Sequence, residues 1–235
     1  MARWGQIGME DASSPYMLDL LDFHDLAMCV LVMIMLMVCF FMMSGVLSPF
    51  YYRTYPESQT LEAAWSIFPI VCLVLLGWPS VYNLYKMDQF MTGEYLIKVI
   101  GRQWLWVYEY PIIKDSEVSN ISFESYMVPT EYISMGEYRL LEADKRLVLP
   151  VNQIWRVLVT SDDVLHCWTV LGLGLKVDGA PGRLNQILFN ALRCGVYYGQ
   201  CSEICGANHS FMPINVEIVP ISFFDMWIKS IVNSE

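Results

Sequence analysis

Two long apolar stretches set the layout of the chain. Residues 26–47 read LAMCVLVMIMLMVCFFMMSGVL and residues 63–85 read AAWSIFPIVCLVLLGWPSVYNLY, neither with a charged side chain. About 20 apolar residues in a helix span a bilayer core, so the pattern predicts an N-terminal two-helix transmembrane hairpin with spans at about 26–47 and 63–85. The second run, with Pro69 and Pro79, could alone be a buried core helix. Two such runs so close together point instead to a hairpin in a lipid bilayer, where neighbouring helices satisfy the backbone groups that proline frees. Trp65, Trp78, Tyr82 and Tyr85 are suited to the interfaces.

After Met91 the period becomes two. Aromatics at Trp104, Trp106, Tyr108 and Tyr110 alternate through 103–110 and would share one face of a strand. Residues 154–160 and 214–219 are β-branched runs bounded by proline or polar turns, and turn signals recur at Pro150, 179–182 and Gly195. Helical spacing returns only at 221–232, as a short amphipathic segment. The expectation is therefore an N-terminal segment and hairpin over 1–90, then an all-β domain over 91–235, a sandwich or barrel closed by a short C-terminal helix.

Composition sharpens this in one respect. The chain is 55% hydrophobic and 16% charged, against about 25% charged in an average soluble protein, and the deficit sits in the two runs. Residues 1–25 hold one base, Arg3, and five acids, Glu10, Asp11, Asp19, Asp22 and Asp25. No cleaved signal peptide is expected from such a start. The loop at 48–62 has Arg53 as its one base, against Glu57 and Glu62. The acidic N-terminus belongs on the outer side, and an even number of spans returns the C-terminal domain there. There is no internal repeat, phosphate loop, dinucleotide fingerprint or nucleophile triad, and a net charge of −10 gives nucleic acid no footing.

The chemistry concentrates near the C-terminus. Cys201, Cys205, His209 and Met212 are spaced C-x3-C-x3-H-x2-M. Thiolate and thioether are soft ligands and imidazole is borderline, a set that favours copper over magnesium, calcium or manganese. A mononuclear blue-copper site needs one Cys, two His and a weak axial Met; here there are two Cys and one His. The chain has three histidines, His24, His166 and His209. Two bridging thiolates, with two copper ions each capped by one imidazole, would use Cys201, Cys205, His166 and His209 completely. A Cys201–Cys205 disulfide or a tetrahedral zinc on Cys2His2 would leave Met212 without a role. Of the other cysteines, Cys29, Cys39 and Cys72 read as small packing residues, and Cys167 and Cys194 as free thiols.

The stretch GQCSEICGANHSFMP resembles the copper-A loop of subunit II of the mitochondrial-type haem-copper cytochrome c oxidases. The resemblance continues through GRQWLWVYEY at 101–110, YRLLEADKRLVLP at 138–150, DVLHCW at 163–168 and LGLKVDGAPGRLNQ at 173–186. It implies a cupredoxin-like barrel for the β-domain. Cys201 and Cys205 would be bridging thiolates, with His166 and Met212 completing one copper and His209 and the Glu203 carbonyl the other. The family further implies electron arrival at Trp104, a magnesium shared between the Glu203 carboxylate and subunit I, and the mouth of a proton pathway at Glu62. Its partners would be cytochrome c, subunit I and the other subunits of a membrane complex. The resemblance also implies reduction of dioxygen to water with proton pumping, in the mitochondrial inner membrane, with a multi-pass subunit whose copper domain would face the intermembrane space. Two departures stand out: Leu105 where the family usually has a second aromatic, and Cys167 where a hydroxyl residue is common.

From 109 to 163 there are ten acids and five bases. Glu109, Glu124, Asp144, Asp162 and Asp163 would steer a basic partner toward Trp104. Two rival readings remain at this point. A membrane-anchored copper carrier or chaperone would need exposed, exchangeable ligands. A non-redox assembly subunit, like quinol-oxidase relatives that lost the metal, would not keep the whole ligand set.

Overall fold

The computed structural model describes residues 8–50, 57–87, 95–114 and 117–232; Arg3, Arg53 and Met91 lie outside them. Two compact units result, one of residues 19–86 and one formed by the residues up to 18 together with those from 87 onward.

The first unit holds two long helices, α1 (Pro15–Leu47) and α2 (Gln59–Met87). At 33 and 29 residues and about 1.5 Å per residue, each exceeds the ~30 Å hydrocarbon core. Each starts on a serine cap. Met17 donates its N–H to Ser14 Oγ at 3.1 Å, with Pro15 at the first helical position. Leu61 donates to Ser58 Oγ at 3.4 Å. α1 begins well before its uncharged run, because a cap and a proline fix a helix start that hydropathy does not report. Where the start of α1 meets the end of α2, Lys86 pairs with Asp19 at 2.5 Å and Asn83 donates to the Asp19 carbonyl. Within this chain Cys29 and Cys39 face outward from α1, so they do not serve as intramolecular packing residues: a long straight helix touches its own chain along one stripe at most.

The second unit is a β-sandwich of two five-stranded sheets. One runs β3 (Glu117–Ser125), β2 (Leu105–Lys114), β1 (Tyr95–Arg102), β5 (Ile154–Ser161), β8 (Asn185–Asn190). The other runs β4 (Leu147–Pro150), β10 (Pro213–Val219), β9 (Gly195–Gln200), β6 (His166–Val170), β7 (Leu175–Gly179). Pairs β1–β5 and β4–β10 are parallel and the rest antiparallel. The inner faces share one core in which Trp106, Trp155 and Trp168 are at most 1% exposed. Truncating such a ring costs about 3–5 kcal/mol.

α3 (Ile221–Val232) closes the edge by setting Phe224 against Tyr95, Tyr110 and Trp155, with Trp227 edge-on to Tyr110. Lys229 in its last turn complements the negative helix end. One strand expectation fails locally. Trp106, Tyr108 and Tyr110 do share the buried face of β2, but Trp104 lies in the turn between β1 and β2 and is half-buried. Alternation alone does not register that a hairpin reverses at Gln103–Trp104.

The N-terminal strap belongs to this unit. Ser13 donates to Gly172 O, Leu192 donates to Ser13 O, and the Arg193 guanidinium donates to Ala12 O. Ser14 Oγ donates to Leu173 O at 2.6 Å. Ser14 is fully buried and Met17 nearly so.

Candidate metal centre

The centre forms where the β9–β10 hairpin opens beside the start of β6. Strands β9 and β10 pair down to Gln200 opposite Pro213, so the loop 201–212 is held at both ends. Close approach on β9 requires glycine: a Cβ at Gly199 would stand 1.9 Å from Thr169 O. β6 begins at His166, which is fully buried. A Cβ on Gly101 of β1 would sit 2.8–3.0 Å from three atoms of that side chain, so the imidazole lies directly on the β1 backbone.

Four further donors surround the two cysteine sulfurs. Cys201 Sγ and Cys205 Sγ are 4.0 Å apart, about twice the covalent ~2.05 Å, and both cysteines are free. His166 Nδ1 is 3.9 Å from Cys201 Sγ, and the Glu203 carbonyl oxygen 3.4 Å. His209 Nδ1 is 3.4 Å from Cys205 Sγ, and Met212 Sδ 3.5 Å. A single tetrahedral zinc would use four ligands and leave the thioether and carbonyl over. The donor set, with thiolates, thioether and imidazoles, fits copper.

Surrounding groups fix these donors. His166 Nε2 lies 2.8 Å from Asp163 Oδ1, which leaves Nδ1 for metal. The other Asp163 oxygen accepts from Gln103 N at 2.6 Å. Trp106 stands edge-on to His166 at 5.9 Å and donates Nε1–H to Met212 O at 3.2 Å. Gln103 Nε2 donates to Cys205 O at 2.7 Å.

Burial is the largest single influence on the Cys201 thiol and raises it, but bonding to His166 and backbone contacts with Cys167 and Glu203 together outweigh it, and the net direction is down. Cys205, raised by burial and by the charge on Cys201, is pushed up to about 12. Burial lowers His166, yet its partners Cys201 and Asp163 bring it above the ordinary value. A metal held by both cysteines as thiolates would displace the Cys205 proton on binding.

The other sequence candidates fall in three places. Trp104 lies on the loop: a Cβ at Gly206, whose φ is +126°, would meet Trp104 Cζ2 at 3.1 Å. Glu124 and Asp162 converge on Arg102 at 3.4 and 2.7 Å, next to the Gln103–Trp104 turn that Asp163 holds. Asp144 accepts from Tyr126 N and Lys145 N, while Glu109 pairs with Lys98 at 3.1 Å. Glu203 is half-buried in the loop. Glu62 is in the first turn of α2, in the other unit.

Sequence reading missed Gly101, Gln103 and Trp106 as supports, and took Asp163 for a docking acid without seeing its bond to His166. Asp163 precedes the histidine by three residues, the one local signal available. Cys167 is fully buried, 3.5 Å from Thr169 Oγ1, and burial pushes its thiol up to about 11. Cys194 is exposed.

Two family models match, together covering most of the chain: cytochrome c oxidase subunit II, periplasmic domain, over residues 95–219, and its transmembrane domain over residues 2–82. The chain belongs to the cytochrome c oxidase subunit II family. It is 47% identical over 234 residues to cytochrome c oxidase subunit 2 of Drosophila lowei, covering all of both chains. The solved periplasmic domain of subunit II (CoxB) of Bradyrhizobium japonicum is 37% identical with a TM-score of 0.55, over 62% of this chain and 99% of that one. A mixed disulfide intermediate between a thioredoxin-like protein and subunit II of cytochrome c oxidase matches at 36% identity and TM-score 0.52, over 62% and 96%. As a member of this family the chain is a transmembrane subunit of a multi-subunit haem-copper oxidase, an oxidoreductase, with a cupredoxin-like domain of copper-A type. Its full-length Drosophila relatives fit a protein of the mitochondrial inner membrane.

Proposed function

We propose that this subunit accepts electrons from cytochrome c, on a binuclear copper-A centre held by Cys201, Cys205, His166, His209, Met212 and the Glu203 carbonyl. The observation that carries this is the gathering of those donors around two free sulfurs 4.0 Å apart. When bound, the copper pair would supply a one-electron couple between cytochrome c and the haem of subunit I, where dioxygen is reduced and protons are pumped. If both thiolates were shared by the two ions, nearness to one sulfur would not assign a ligand to an ion; the family resemblance would put His166 with Met212 and His209 with the Glu203 carbonyl.

The protein's part is to hold donors still and to bring the redox partner close. The Asp163 and Trp106 contacts keep His166 and Met212 in place, which limits rearrangement between oxidation states. Trp104 on Gly206 offers a ring between the surface and the loop. Glu124, Asp144, Asp162, Asp163 and Glu109 would draw in a basic haem protein. The Glu203 carboxylate suits a magnesium shared with subunit I, and Glu62 a proton-pathway mouth at the edge of the membrane. Ser14 bonded to Leu173 requires the start of α1 and the β-unit to lie on one side of a membrane; with the acidic N-terminus on the outer side, the copper domain would face the intermembrane space.

A copper carrier is disfavoured by burial: Cys201, Cys205, His166 and Met212 are 7, 4, 0 and 1% exposed. The test is electron paramagnetic resonance of the copper-loaded full chain. One unpaired electron shared over two copper nuclei gives a seven-line hyperfine pattern; four lines, or one copper per chain, would overturn the reading.

A further inference from the structure

Glu142 is the one acidic residue that is buried among the described residues, 4% exposed, and it lies outside the metal centre. Its carboxylate gathers donors from three directions. Oε1 accepts from Tyr198 Oη at 2.9 Å and Tyr138 N at 3.3 Å; Oε2 accepts from Asn215 Nδ2 at 3.3 Å. The Arg146 guanidinium stands 3.7 Å from Oε2 and 3.5 Å from Glu217. An ionised carboxylate accepts without donating, so no other buried side chain of this size could take all of these donors at once. Burial, then the bond to Glu142, pushes the Tyr198 phenol up to about 12.

The register gives this cluster its meaning. Tyr198 on β9 and Asn215 on β10 are direct cross-strand partners. Tyr198 precedes Cys201 by three residues, and Asn215 follows Met212 by three, so the carboxylate grips the hairpin about 10 Å below the loop at the ~3.3 Å rise of a strand. The Glu142 backbone is anchored separately: its carbonyl accepts from Val128 N at 2.9 Å, and Ala143 bridges to Met127. Two residues earlier Leu140 is held at φ 65°, a left-handed conformation unfavourable for a bulky side chain.

We propose that Glu142 is a positioning residue for the metal loop. Its carboxylate locks β9 and β10 at one spacing, so that Cys201, Cys205, His209 and Met212 stand ready before metal arrives. The proposal rests on the copper reading of the loop, but its test does not need copper.

The measurement is amide hydrogen exchange on the metal-free full chain in detergent, comparing Glu142→Gln with the parent. Glutamine keeps an acceptor for Tyr198 but turns a donor toward Asn215 and Arg146. Exchange at 199–213 should rise about tenfold, the scale expected for a buried group left unpaired, while β1 and β5 change less than about twofold. Adding Asn215→Asp restores a donor–acceptor pair and should bring the loop back to within about threefold of the parent. Unchanged exchange at 199–213, an equal rise in both sheets, or no rescue by the second substitution would each overturn the proposal. Should Glu142→Gln not fold, Tyr198→Phe removes a single arm and is judged by the same pattern. The copper reading is decided separately by the parent's paramagnetic spectrum, so either can fail without the other.

Discussion

Replacing Gly101 by alanine isolates the packing that holds His166. The added Cβ would stand 2.8, 2.9 and 3.0 Å from the imidazole Cδ2, Cγ and Cβ, where carbon pairs settle at about 3.5–4.0 Å. Neither side can yield cheaply. β1 is the middle strand of its sheet, with Gly101 paired to Trp106 on one side and Ser161 on the other. His166 is fully buried and tied to Asp163. Gly101 has no left-handed φ, so alanine adds crowding and no backbone penalty. Overpacking of this kind costs about 1–3 kcal/mol, and at about 1.4 kcal/mol per factor of ten its full transfer to the ligand weakens metal binding by about 5- to 150-fold. That range overlaps the ~10–100-fold typical of disturbed outer-shell partners. Chelator competition on the full chain reads it directly. Gly45→Ala in α1, with nothing within 4 Å of its Cβ, should leave copper affinity unchanged. Affinity within about twofold of the parent for Gly101→Ala would refute the idea that β1 seats the histidine.

Four further outcomes test the proposed function. Met212→Leu should keep the seven-line pattern but shift the reduction potential, since an axial thioether is a weak ligand; loss of copper would mean that Met212 is structural. Trp104→Ala should leave cytochrome c association within about twofold and slow electron transfer strongly, and unchanged transfer would place electron arrival elsewhere. Asp144→Asn should lower the association rate at low salt and flatten its salt dependence, because exposed charges act over about 8 Å at physiological ionic strength; a rate flat in salt for the parent would leave the acids a solvated surface. Glu62→Gln should slow dioxygen reduction in the assembled oxidase while copper reduction by cytochrome c stays normal, and equal loss of both steps would indicate misassembly.

What could be read from the sequence follows from how locally each feature is encoded. Four of the proposed ligands sit within twelve residues, and with three histidines in the chain the second imidazole of a copper pair would be His24 or His166. The uncharged runs showed the helices, and 221–232 matched α3. The supports were hidden because they are long-range: Gln103 reaches Cys205 across 102 positions and Trp106 reaches Met212 across 106. Glu142 looked like one acid of an acidic stretch, since nothing in its neighbours reveals that Tyr198 and Asn215 bury it. Trp104 fitted the alternation yet belongs to a turn, which period-two patterning cannot distinguish from the first rung of a strand.

The strap at residues 12–17 constrains the order in which the molecule can be completed. Ser14 and its acceptor Leu173 are 159 residues apart, so at about 5–20 residues per second the acceptor is polymerised roughly 8–30 s after the donor. The strands that present Leu173 must have taken shape before this hydroxyl finds its carbonyl. A segment made early is thus fastened late, and its closure requires the two ends of the hairpin to lie on the same side.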